Sequence, residues 1–132
     1  LLFSSDRTVR EQVRLALGRK VASDLPPIEV EEVATGPAMF RRLDVGPSVD
    51  LLILDGEAQP EGGFGLAHQV KEEYEDCPPV LLLVARVADA WLGTWSRAEV
   101  ISPYPVDPVR LPGQAAELLR ERKNGKKREK VS

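Results

Sequence analysis

An aspartate that closes a run of four apolar residues, Leu51-Leu52-Ile53-Leu54-Asp55, is the most suggestive chemical feature of the chain. A carboxylate placed there can ligate an ion or simply cap a strand end. Two further acids fall on adjoining loops: Asp6, after Ser4-Ser5, and Glu57, just past Asp55. Apart, they read as solvated loop carboxylates. Gathered, the three would offer the oxygen ligands that magnesium prefers. His68, the only histidine, has no serine, cysteine or second histidine in catalytic spacing, so it reads as a surface residue. Glu61-Gly62-Gly63-Phe64-Gly65 has the glycines of an anion-binding loop. It lacks a Gly-Lys-Ser/Thr ending, and His68 stands where a third spaced glycine would be, so a flexible turn is expected. The lone Cys77, before Pro78-Pro79, reads as an inert reduced thiol. Nothing in this set points to an enzyme.

Such residues need elements to position them, and the apolar pattern alternates short and long segments. A first strand is expected over Leu1-Leu2-Phe3-Ser4. A helix follows, with Val9, Val13, Ala16 and Leu17 on one face and Ser5 or Asp6 as its cap. Pro26-Pro27 precedes an alternating strand, Ile28 to Val33, whose Glu29 and Glu31 suit an edge. Pro37 opens a short helix through Met39, Phe40 and Leu43. The runs Leu51 to Leu54 and Val80 to Val84 are apolar throughout, as strands covered on both faces should be. Between them lies a helix with Leu66, Val70 and Tyr74. Trp91 and Trp95 fall on a fourth helix, one turn apart. A strand Val100-Ile101-Ser102 comes next, then a final helix with Ala115, Leu118 and Leu119 inward. Pro112 requires this helix either to start late or to have an irregular first turn.

Five βα units predict an α/β fold, a three-layer doubly wound sheet of five parallel strands. Placing the apolar strands centrally and the acidic one at an edge gives the flavodoxin-like order 2-1-3-4-5. Ligands then gather where strands one and three end, at Ser4-Ser5-Asp6 and Asp55.

The 132 residues suit one domain, with 42% hydrophobic and 30% charged. No stretch is long and apolar enough for a membrane helix, and no secretory leader is evident, so a cytoplasmic protein is expected. The chain opens at Leu1 inside an apolar run, and some preceding residues are expected. The net charge of −3 is uneven: Arg120 to Lys130 carries seven basic and two acidic residues, net +5, leaving −8 elsewhere. Residues 1-122 form the expected domain, and 123-132 a basic, disordered tail.

From Leu1 to about Arg122, the chain resembles the receiver domain of two-component response regulators. Val49-Asp50-Leu51-Leu52-Ile53-Leu54-Asp55 resembles the third strand with its phosphoacceptor. Ala98 to Leu111, with Pro103, Pro105 and Asp107-Pro108, resembles the fifth strand and the start of the last helix. The resemblance implies phosphorylation at Asp55, and magnesium held by acids after strand one and by the backbone carbonyl of Glu57. It also implies a hydroxyl ending strand four, a lysine before the strand-five proline, and a cis bond from Tyr104 to Pro105. This sequence departs at those positions: Ser4 and Ser5 replace the acidic pair, leaving Asp6 next door. Val84 replaces the hydroxyl, Tyr104 the lysine, and Ile101 the switch aromatic. A carboxylate about 4 Å from an added negative charge costs roughly 4 kcal/mol at an effective dielectric of about 20. Without the lysine, such repulsion is not offset at the usual place.

The expectation is a stand-alone pseudo-receiver that signals through protein contacts without stable phosphorylation. A phosphorylatable single-domain regulator is one alternative, and a nucleic-acid accessory protein using the basic tail is another. Expected partners are a histidine kinase, another regulator, or a second copy through the face of helix four, strand five and the last helix. Trp91, Trp95 and Tyr104 are the interface candidates there. No cofactor is firmly implied, magnesium is the candidate ion, and nucleic acid and membrane are not expected partners.

Overall fold

The computed structural model describes residues 1–58, 62–85 and 95–131, the stretch 124–131 by its backbone alone. Five parallel strands form one sheet: β1 (Leu2–Phe3), β2 (Glu32–Val33), β3 (Leu52–Asp55), β4 (Val80–Val84) and β5 (Val100–Pro103). Their order is β2-β1-β3-β4-β5, so the apolar strands are central and the acidic strand is at the edge. The described helices are α1 (Arg7–Leu17), α2 (Gly36–Asp44), α3 (Gly63–Glu73) and α4 (Arg110–Val131).

Strand alternation sorts the core into two layers. Leu52, Leu54, Val80 and Leu82 face one side, where they meet Met39 of α2 and Leu66 and Val70 of α3. Ile53, Leu81 and Leu83 face the other, against Val13 and Leu17 of α1 and Leu111, Ala115 and Leu118 of α4. Burial on both faces is why β3 and β4 contain no polar residue before Asp55.

Caps fix the helix starts. Asp6 accepts from the Thr8 amide at 2.8 Å, and Thr35 from the Ala38 amide at 3.2 Å. Asp107 accepts from the amides of Val109 (2.8 Å) and Arg110 (3.1 Å), so α4 begins two residues before Pro112. Pro112 thus sits in the first turn, where a missing amide proton costs little.

Three expectations need correction. The second strand was expected over Ile28 to Val33 but is only Glu32–Val33, matching the short β1 beside it. The glycine segment was expected as a flexible turn, yet Gly63 and Gly65 begin α3. A Cβ on Gly63 would lie 2.6 Å from the Asp55 carbonyl oxygen, and one on Gly56 2.7 Å from that of Leu83. These glycines permit close approach of backbones rather than looseness. Finally, α4 continues as helical backbone to Val131, through a segment expected to be disordered. Lysine and arginine are good helix formers, and extending a helix already docked on the core avoids a new nucleation step.

Candidate functional site

The order of the sheet brings the ends of β1, β3 and β5 toward one crevice, and their terminal residues meet there. Asp55 is buried, 2% exposed, at the last position of β3. The hydroxyl of the buried Ser4, just after β1, donates to Asp55 Oδ2 at 2.7 Å. The Tyr104 hydroxyl, just after β5, donates to Asp55 Oδ1. The Glu57 backbone amide donates to the same oxygen at 3.0 Å. Both carboxylate oxygens are therefore engaged, and every one of these donors is neutral.

Each donor is itself held. Ser4 has one hydroxyl proton, which goes to the carboxylate, while its oxygen accepts from the Asp6 amide at 3.0 Å. Arg10, on α1, donates from Nη1 to the Ser4 carbonyl at 2.6 Å and so fixes the chain on which that hydroxyl sits. The Tyr104 amide donates to the Val84 carbonyl at 2.8 Å, which anchors the phenol past the end of β4. Burial, then the bond to Asp55 and the charges of Asp55, Glu57 and Asp6, push the Tyr104 phenol far above its ordinary pKa. It therefore remains a donor throughout the physiological range.

The other positions flagged in the sequence fall around this centre. Val84 ends β4, buried and without a donor to offer. Ile101 packs against the core layer shared with α2 and α3. Ser5 is exposed, and the peptide bond from Tyr104 to Pro105 is cis. Asp6, Asp55 and Glu57 are a poor fit for magnesium. The Asp6 carboxylate caps α1, and both Asp55 oxygens accept hydrogen bonds from within the chain. Among the described residues, no group of three or more acidic, histidine or cysteine side chains could hold a metal ion.

The tryptophan ridge is only partly visible, because Trp91 lies outside the described residues. Trp95, 49% exposed, stacks on His68 with ring centroids 4.2 Å apart, and the Trp95 carbonyl lies 3.1 Å from His68 Nδ1. His68 thus ties α3 to the segment before β5. Cys77 is half-buried, and burial raises its thiol pKa, as suits an unreactive cysteine.

Sequence reasoning did not single out Arg10, whose role depends on a contact between α1 and the end of β1. It noted Ser4 and Tyr104 as departures from a pattern but not as partners of Asp55.

A comparison with protein-family models finds no match. Two curated relatives, each named an uncharacterized response regulatory protein, come from two strains of Mycobacterium tuberculosis. Each is 49% identical over 120 residues, covering 91% of this chain and 90% of the relative. Among solved structures, a CheY-like response regulator receiver domain protein from Methanospirillum hungatei superposes with a TM-score of 0.74. That match covers 94% of each chain at 16% identity, a likeness of fold alone. Among the described residues, no helix is long and apolar enough to cross a membrane.

Proposed function

The chain belongs to the response-regulator family, and on that premise we propose that it is a pseudo-receiver, a cytoplasmic signalling module that works by binding protein partners without stable phosphorylation of Asp55. The observation that carries this reading is the set of neutral donors on Asp55: the hydroxyls of Ser4 and Tyr104 and the amide of Glu57.

A phosphoryl group on Asp55 would bring a charge of about −1.5 to −2 into the pocket, and a site that takes it needs cations and aligned donors. Here the tyrosine stands in place of a lysine. Hydroxyls stabilise one carboxylate well but cannot offset a second charge beside Asp6 and Glu57. The phenol also occupies Oδ1, so attack through that oxygen would first have to break its hydrogen bond. Asp55 then serves as a junction joining the ends of β1, β3 and β5, and the surface around that junction is what a histidine kinase or another regulator would read.

The test is incubation of the full chain with acetyl phosphate and magnesium, followed by intact mass measurement. The reading predicts no adduct; a gain of about 80 Da that maps to Asp55 would refute it.

A further inference from the structure

A second charged site lies on α1, outside the Asp55 network. Arg7, Arg10 and Arg14 sit at i, i+3 and i+7, so one helix face carries all three guanidinium groups. Together with Glu11, Glu32 and Val33 they line a recess of about 450 Å³ beside the edge strand β2. Among the residues that line the recess, Glu32 accepts from Arg10 Nε at 3.3 Å and Arg14 Nη1 at 3.1 Å. The Arg7 side chain is exposed, and among the described residues it makes no hydrogen bond or ion pair. The recess therefore holds a surplus of positive charge on a body that is otherwise acidic.

We infer that this recess binds a dianionic phosphoryl group, either free phosphate or one carried on a partner's side chain. Planar guanidinium forks match phosphate oxygens in pairs: Arg7 brings an unbonded fork, and Arg10 and Arg14 can exchange Glu32 for the anion to add further charge-assisted bonds. Arg10 also donates to the Ser4 carbonyl, and the Ser4 hydroxyl donates to Asp55. A ligand that re-aims Arg10 therefore reaches the Asp55 junction through two hydrogen bonds. This binding is non-covalent and does not depend on whether Asp55 accepts a phosphoryl group.

The test is a nuclear magnetic resonance titration of the full chain with inorganic phosphate at constant ionic strength, read at the arginine Nε–H signals. A second arm uses a phosphoserine peptide and its unphosphorylated twin. Saturable shifts at Arg7, Arg10 and Arg14 are expected. The double variant Arg7→Ala/Arg14→Ala, both exposed positions, should weaken binding about tenfold, the loss of one or two charge-assisted bonds. Glu32→Gln should tighten it, because the competing carboxylate is gone; a variant that merely damaged the fold would not do this. Tighter binding of the phosphopeptide than of phosphate assigns the group to a partner, and equal binding assigns it to the free ion. Shifts that chloride reproduces at equal ionic strength, or a double variant that binds like the parent, would overturn the inference.

Discussion

The two ends of the sheet treat carboxylates in opposite ways. At the amino end, acids meet cations: Glu31 bonds Arg42, Asp24 bonds Arg120, Asp76 bonds Arg122, and Glu99 bonds Lys71. The Arg120 guanidinium holds the exposed Asp24 carboxyl down at about 2. At the carboxyl end, Glu32 on the edge strand still pairs with Arg10 and Arg14, but three aspartates bond neutral donors instead. Asp6 takes an amide, Asp107 takes two, and Asp55 takes two hydroxyls and an amide. The chain has 18 lysines and arginines, so cations are not scarce. The contrast is that neutral hydroxyls and an amide meet Asp55, the arrangement on which the proposed pseudo-receiver reading rests, whereas the opposite end is a network of ion pairs.

The strongest way to break this contrast is steric. Gly63→Ala would drive a Cβ into the Asp55 backbone, and it should cost about 2–3 kcal/mol in a urea melt, the range for an overpacked site. A cost near zero would mean that the end of β3 can give way and that the junction is not rigid.

Removing one donor comes next. Ser4→Ala leaves a buried carboxylate oxygen without its hydroxyl partner and should cost about 2 kcal/mol, within the range for a lost bond to a charged group. The cost should persist in 1 M salt, because the partner is neutral, whereas the ion pairs at the amino end weaken there. Loss of the Ser4→Ala effect in salt would show that the two ends are alike after all.

Alkaline titration sharpens the comparison further. Both tyrosines have raised pKa values, Tyr74 to about 12 and Tyr104 further still, so folding favours their neutral forms. Their contribution is complete below the unfolded value near 10 and is lost as pH climbs toward the folded values. Stability should therefore fall above pH 10, and Tyr104→Phe should flatten that fall. An unchanged pH profile in the variant would remove Tyr104 from the network. The smallest effect belongs to Arg97, a non-glycine residue at φ 63° just before β5. Arg97→Gly should stabilise the fold by roughly 0.5–1 kcal/mol, since glycine carries no Cβ penalty there, and a thermal melt would read it as a rise in Tm.

Much of the framework was legible because it rests on local pattern. Two runs apolar at every position could only be central strands, and the acidic alternation of the second strand marked an edge, so the order of the sheet followed. Asp55 was legible too, as the first polar residue after a buried run. Its partners were not. Ser4 and Tyr104 lie 51 and 49 positions away, and a serine or tyrosine that replaces a charged residue announces what is absent, not what it bonds. Glycines mislead in a related way: a flexible turn and a tight backbone approach ask for the same residue, and only the 2.6 Å clearance at Gly63 separates them. Arg10 escaped notice because a helical arginine signals solvent until a backbone carbonyl is found beside it.

Exchange of the phenol for an ammonium addresses the central claim most directly. Tyr104→Lys with Ser5→Asp supplies the missing cation and one missing acid, and Asp55 phosphorylation by acetyl phosphate and magnesium can then be compared with that of the parent chain by intact mass. The account predicts a labelled variant and an unlabelled parent. A parent chain that labels as readily as the variant would mean that hydroxyls around Asp55 do not bar the phosphoryl group.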